Sequence, residues 1–211
     1  MTSLTKMRTL AVSAVAAVAL TGAVSAEAGK AGKQRVKLEG NQTTITLSEG
    51  VSNALKDNGV TVSLLGKATA GEGGSVVLPI TGGRVNPQNL RGFVRHAGGV
   101  KLTKGERSLS LRRFTIVSKR RGAYLTVHVK GRAGKAKAKA ARKRGRRHGR
   151  NIVLARLAKV TRSDANGVTT VTADLRLTKR AAKLIRNRFG VAAAQKGTLL
   201  GTAKVEAKPK S

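Results

Sequence analysis

The 211-residue chain has no cysteine and no tryptophan, one tyrosine, three phenylalanines, three prolines and nine acidic residues. Each scarcity removes a class of chemistry. Without cysteine there is no disulfide frame, no thiolate metal site, no cysteine nucleophile and no lipid attached through sulfur. With so few rings, Val, Leu, Ile and Ala must fill any core, and a nucleic-acid surface would lack the aromatics on which bases stack. Sequence-specific nucleic-acid recognition is therefore disfavoured. The carboxylates are Glu27, Glu39, Glu49, Asp57, Glu72, Glu106, Asp164, Asp174 and Glu206. None of their spacings suggests a working acid and base pair, so an enzyme is not expected. "GKATAGEGGS" (66–75) lacks the glycine-to-lysine spacing and following hydroxyl of a phosphate loop and reads as a connection.

What is present is positive charge: 43 Lys and Arg, for a formal net charge of +34. Such an excess attracts polyanions. The first residues read as an address. Lys6 and Arg8 precede the apolar run "LAVSAVAAVALTGAV", and Val24-Ser25-Ala26 offers a small-residue cleavage site. A signal peptide over residues 1–26 is expected, leaving Glu27 as the new N-terminus and a product that is secreted or loosely held at the cell envelope. The run is interrupted by Ser13 and Thr21 and falls short of the ~20 strongly apolar residues of a membrane span, and no second long apolar segment follows.

Residues 27–41 read as a basic, flexible tail. Beyond them, 40% hydrophobic residues suffice for one core, and Val and Thr richness favours strands. Alternating segments include "TTITL", "VTVSLL", "SVVLPI", "GFVRH", "VKLT", "RSLSLRRFTI", "AYLTVHVK", "NIVLARLAKV", "VTTVTADLRL" and "TLLGTAKVEA". Two helices are predicted. Ser48 can cap "EGVSNALKD", stopped by Asn58-Gly59, and Thr178 can cap "KRAAKLIRNRF", stopped by Gly190. The expectation is a mainly β fold: a single antiparallel β-sandwich-like domain over residues 42–208, with two short helices and a long basic loop. That loop, about residues 131–150, contains Arg142, Lys143, Arg144, Arg146, Arg147 and Arg150 and no acidic residue. Like charges at that density do not pack together, so it reads as a disordered hairpin connection and as a docking arm for polyanions, or simply as a solvated loop. Tyr124 and His128 share a strand face but lie ~13 Å apart along it, too far to hold one atom.

His96, in "FVRHAGGVKL", is either a ligand or a strand residue packed beside the Gly98-Gly99 turn. The run "LPITGGRVNPQNLRGFVRHAGGVKL" (78–102), continuing into "RSLSLRRFTI", resembles the HtaA family of actinobacterial haem-uptake proteins, in which an ITGG segment leads through LRG to a His-x-Gly-Gly turn. The two predicted helices fall where that family has its own, so the resemblance covers roughly residues 42 to 207. It implies a secreted or surface-held, mainly β domain that binds or relays haem without being an enzyme. In haem-binding members, the resemblance further implies, a tyrosine near the end of the first helix ligates iron and the turn histidine hydrogen-bonds its phenolate. His96 matches that histidine. The tyrosine position falls at Asn58, the aromatic positions of the helix at Glu49 and Leu55, and a later aromatic pair at Ala193 and Ala194. The haem site is thus expected to lack its iron ligand. The alternative is an envelope module that binds anionic polymers and has lost haem.

Overall fold

The structure, a computed structural model, describes residues 35–132 and 149–210. The expected signal peptide, most of the expected tail and the centre of the basic loop, including Arg142, Lys143, Arg144, Arg146 and Arg147, lie outside the described residues. In chain order the elements are β1 (Val36–Glu39), β2 (Gln42–Leu47), α1 (Glu49–Asp57), β3 (Thr61–Leu65), β4 (Thr69–Ala70), a 3-10 turn (Glu72–Gly74), β5 (Val76–Val85), β6 (Gly92–His96) and β7 (Gly99–Lys104). There follow β8 (Arg107–Lys119), β9 (Gly122–Arg132), β10 (Arg150–Ala165), β11 (Val168–Leu177), α2 (Lys179–Phe189) and β12 (Leu199–Pro209). The alternating segments all become strands.

They do not form a sandwich. Pairing runs β5-β2-β12-β11-β10-β9-β8, and β6 then pairs with both β8 and β5, so eight antiparallel strands close into a barrel. Closure removes the free edges that two stacked sheets would leave. Alternation tells which residues face inward but is the same for both architectures, and only the double pairing of the short β6 decides between them. Outside the ring, β3 and β7 extend β8 on one side and β4 adds to β5.

The N-terminal boundary also shifts. Val36–Glu39, read above as part of a basic tail, is a strand paired with both β5 and β12. It continues β2 between the same two partners, with a break at Gly40 (φ 70) and Asn41 (φ 60). Four residues of alternation among basic neighbours are too short to stand out, yet Val36 and Leu38 bury most of their surface on the barrel.

The barrel has two unlike ends. α1 follows β2 and α2 follows β11, and β12 begins beside both, pairing Gly201 with Leu47 and Leu199 with Arg176. Both helices therefore lie over the same end. α2 inserts Ala181, Ala182, Ile185 and Phe189, and α1 inserts Leu55. The Thr178 hydroxyl accepts from the Ala181 N–H at 3.2 Å and donates to the Val153 carbonyl at 2.6 Å, capping α2 as expected. Gly190 (φ 80) closes that helix in the left-handed region, where glycine carries no Cβ penalty. Ser48 precedes α1 but does not cap it through its side chain; its hydroxyl donates to the Leu199 carbonyl at 2.8 Å and ties the helix start to β12. At the other end lie the β5–β6 loop, the β8–β9 and β10–β11 turns and the end of β12. Between the ends the lumen is filled by aliphatic side chains, with Leu78, Leu125, Val127 and Leu175 fully buried. Among the described residues no helix is long and apolar enough to cross a membrane.

Candidate functional site

His96 ends β6 and is only 6% exposed. Its Nδ1–H donates to the Phe114 carbonyl at 3.0 Å. A carbonyl can only accept, so in the neutral ring Nε2 is the bare nitrogen, and it accepts from the buried Thr43 hydroxyl at 2.7 Å. Both nitrogens are thus engaged inside the barrel wall. Burial pushes the imidazole down to about 4, only partly opposed by the bond to the Phe114 carbonyl, so the ring is neutral near pH 7. The following glycines serve the corner: a Cβ on Gly98 would strike the Ala68 backbone, and one on Gly99 would strike the Leu111 carbonyl. The ring thus lies beside the turn with both nitrogens already bonded within the protein.

Asn58, the substituted ligand position, closes α1 by donating its side-chain amide to the Ala54 carbonyl at 2.8 Å. It does not meet His96. Leu55, Ala193 and Ala194 do come together, around an apolar cavity under the two helices that Val51, Phe114 and Ile185 also line. Its volume of about 90 Å³ is small beside the ~300 Å³ or more of ordinary small-molecule pockets. Neither Asn58 nor His96 lines it. The single tyrosine lies elsewhere: the Tyr124 hydroxyl donates to the Arg121 carbonyl at 3.3 Å, at the opposite end of β9 from His128.

A second concavity was not anticipated from the sequence. An open groove of about 860 Å³ runs over the outer face of β7, β8 and β9 and ends against the corner formed by Gly66, His96 and Gly98. Lys67, Lys101, Arg112, Arg113, His128 and Lys130 line it, and no carboxylate does. Register explains the gathering. Lys101, Ser110 and Lys130 form one cross-strand row, and Gly99, Arg112, His128 and Asn151 form the next. Within that second row the His128 Nδ1–H donates to Asn151 Oδ1 at 2.9 Å.

Consecutive strand residues ordinarily face opposite ways, yet Arg112 and Arg113 share the groove. A β-bulge causes this. From Arg112/His128 to Thr115/Thr126, β8 takes three residues where β9 takes two, and Arg113 sits at φ 53. A non-glycine residue there carries strain that local structure must offset, and bulges of this kind re-aim side chains. The same bulge presents the Phe114 carbonyl to His96. An Arg-Arg pair interrupting the alternation "RSLSL…FTIV" was the available signal. Arg150, the one described member of the predicted docking set, opens β10 opposite Val129 but does not line the groove.

No family model matches the chain, and no curated protein sequence does. Solved structures do. The C-terminal domain of HtaA from Corynebacterium glutamicum superposes with a TM-score of 0.58 at 13% identity, covering 81% of this chain and 98% of that one. The chain has the HtaA fold. The N-terminal domain of HtaA from the same organism gives a TM-score of 0.54 at 14% identity over 81% of this chain and 98% of its own. Heme binding protein HtaB, also from Corynebacterium glutamicum, gives 0.54 at 13% identity over 84% and 96%. The resemblance read from the ITGG-to-HxGG run thus extends to an HtaA architecture across most of the chain.

Proposed function

We propose that this chain is an exported, non-enzymatic binding module of the HtaA fold whose main ligands are anionic polymers of the cell envelope, held in the groove over β7–β9. The observation that carries this reading is the convergence of Lys67, Lys101, Arg112, Arg113 and Lys130 in one open groove without a carboxylate. Guanidinium forks make paired hydrogen bonds to phosphate or carboxylate oxygens, and polymer binding releases condensed counterions, which favours association. β9, which carries Lys130 in the groove, is followed in the sequence by a run of Lys and Arg that ends at Arg150.

Haem is the second reading, favoured by the fold shared with HtaB and by His96 at the family's histidine position. Against tight ferric ligation stand the engaged nitrogens of His96 and the absence of a tyrosine at position 58. Any haem association is then weak and electrostatic, through the propionates, and is reversed by salt.

The two readings separate in a pair of titrations. Fluorescence anisotropy of labelled linear polyphosphate is expected to report binding that weakens linearly in log–log form with salt. Arg112→Gln with Arg113→Gln should weaken it about tenfold, and deletion of 133–149 should reduce the salt slope. An unchanged affinity in the double variant rejects the groove. Haemin titration is expected to give no saturable Soret band that His96→Ala removes. A tight, His96-dependent band would establish the haem reading instead. Asn58→Tyr tests whether an anionic oxygen at the helix end can restore a high-spin ferric spectrum.

A further inference from the structure

The geometry points to a second binding site, in the barrel lumen at the end opposite the helices, for the hydrocarbon chain of a single-chain anionic amphiphile of the fatty-acid class. A cavity of about 130 Å³ opens there. That is close to the ~150 Å³ in which an apolar cavity accepts a benzene-sized guest, room for the last few carbons of a chain. Its lining is apolar apart from Ser118, Arg162 and Thr169. Leu38, Leu90, Leu157 and Val171, which line it, remain half-buried. The cavity at the helix-capped end is smaller, at about 90 Å³, and lies under α1 and α2; among the described residues no helix covers this one.

Two strained residues border the opening. At Lys159 (φ 48) β10 bulges, taking three residues from Ala158 to Thr161 where β11 takes two, and Val160 is thereby placed on the cavity wall while 47% exposed. Leu90 (φ 54) holds its side chain over the mouth from the β5–β6 loop. That loop is wound on the buried Asn86, whose side-chain oxygen accepts from the Gln88 and Asn89 N–H groups at 2.9 and 3.1 Å. One side chain from the far wall, Arg162, donates to the Pro87 carbonyl and ties the loop across the opening. Backbone strain of this kind is concentrated at ligand clamps more often than elsewhere.

Charge at the rim selects the head group. Ser118 and Ala123 line the cavity, and the turn between them carries the exposed Lys119, Arg120 and Arg121. Lys37, Arg84 and Lys208 stand exposed on the neighbouring strand ends. The acidic groups at this end are already paired: Asp164 with Arg162 at 2.8 Å and Glu39 with Lys210 at 3.4 Å. An apolar slot ringed by cations fits a chain with an anionic head and disfavours a neutral one.

The chain contains no tryptophan, so Leu90→Trp supplies a single reporter at the mouth. Titration of that variant with hexanoate, octanoate and decanoate, all below their aggregation concentrations, is expected to give saturable one-site emission changes. Affinity should rise about fourfold per added methylene until the lumen is full. Decanol should bind at least tenfold more weakly than decanoate at low salt. Val171→Phe, or Ala123→Leu should the first variant fail to fold, fills the lumen and should abolish the response while leaving the thermal midpoint cooperative. Affinity independent of chain length, or unaltered in a folded lumen-filling variant, overturns the site, because surface adsorption alone would then explain the signal. Equal binding of decanol and decanoate overturns the anionic specificity.

Discussion

His96 and His128 border the same groove, and the protein uses them in opposite ways. The region around His96 belongs to the barrel wall: the ring is buried, each nitrogen has one protein partner, and desolvation keeps it neutral. The region around His128 belongs to the outer surface, where the ring stands in a row with Arg112 and Asn151 and faces solvent and cations. One histidine is a polar crosslink between β6, β2 and β8; the other lines the open groove on the outer face. Two histidines that border one groove are thus held differently: the motif histidine is bonded into the wall at both nitrogens, and the one on β9 stands on the outer face.

The largest expected effect tests that division directly. His96→Ala opens a cavity and strands the Phe114 carbonyl and Thr43 hydroxyl, so urea unfolding should show a loss of about 4 kcal/mol. His128→Ala, at a half-buried position on the outer face with one side-chain hydrogen bond, should cost no more than about 1 kcal/mol. Comparable losses in the two variants would erase the distinction.

Acidification should act through His96. The unfolded imidazole binds its proton near 6.5, whereas the folded one does so only at about 4. Between those values the unfolded state holds more protons, so stability is full above pH 6.5 and is lost as pH falls towards 4. The loss should amount to about 3 kcal/mol. Denaturant midpoints measured from pH 7 to pH 4 in the wild type and in His96→Gln isolate it, since the variant should lack this component.

A smaller effect is expected at the partner. Thr43→Val preserves shape but removes the donor to Nε2, leaving a buried lone pair unsatisfied, and should cost about 1–2 kcal/mol by the same unfolding measurement. The smallest change should be a gain. Arg113→Gly relieves the left-handed backbone at the bulge and should stabilise by up to about 1 kcal/mol. It should simultaneously weaken polyphosphate binding in the anisotropy assay. Stability and binding moving together in this variant would contradict a bulge held in place for the groove.

Much of the local architecture was legible. "VTTVTADLRL" is β11 to the residue, "KRAAKLIRNRF" is α2 with Thr178 and Gly190 at its ends, and "EGVSNALKD" is α1. The Ser48 cap was misjudged because its hydroxyl finds the Leu199 carbonyl, far away in sequence. β1 was missed because its support comes from β5 and β12, not from its own four residues. The groove was missed because Lys101, Ser110 and Lys130 become neighbours only through two strand registers, and because the bulge at Arg113 breaks the rule by which facing was assigned.

Alternation, helix caps and charge excess depend on residues a few positions apart, so the sequence by itself determined the strands, the two helices, the aliphatic core and the excess of positive charge. The closure of the barrel through β6, the engagement of both His96 nitrogens and the cation-lined groove depend on contacts between segments distant in the chain. Only the tertiary structure decided these, because pairing and register are properties of two strands at once and no single stretch of residues encodes its partner.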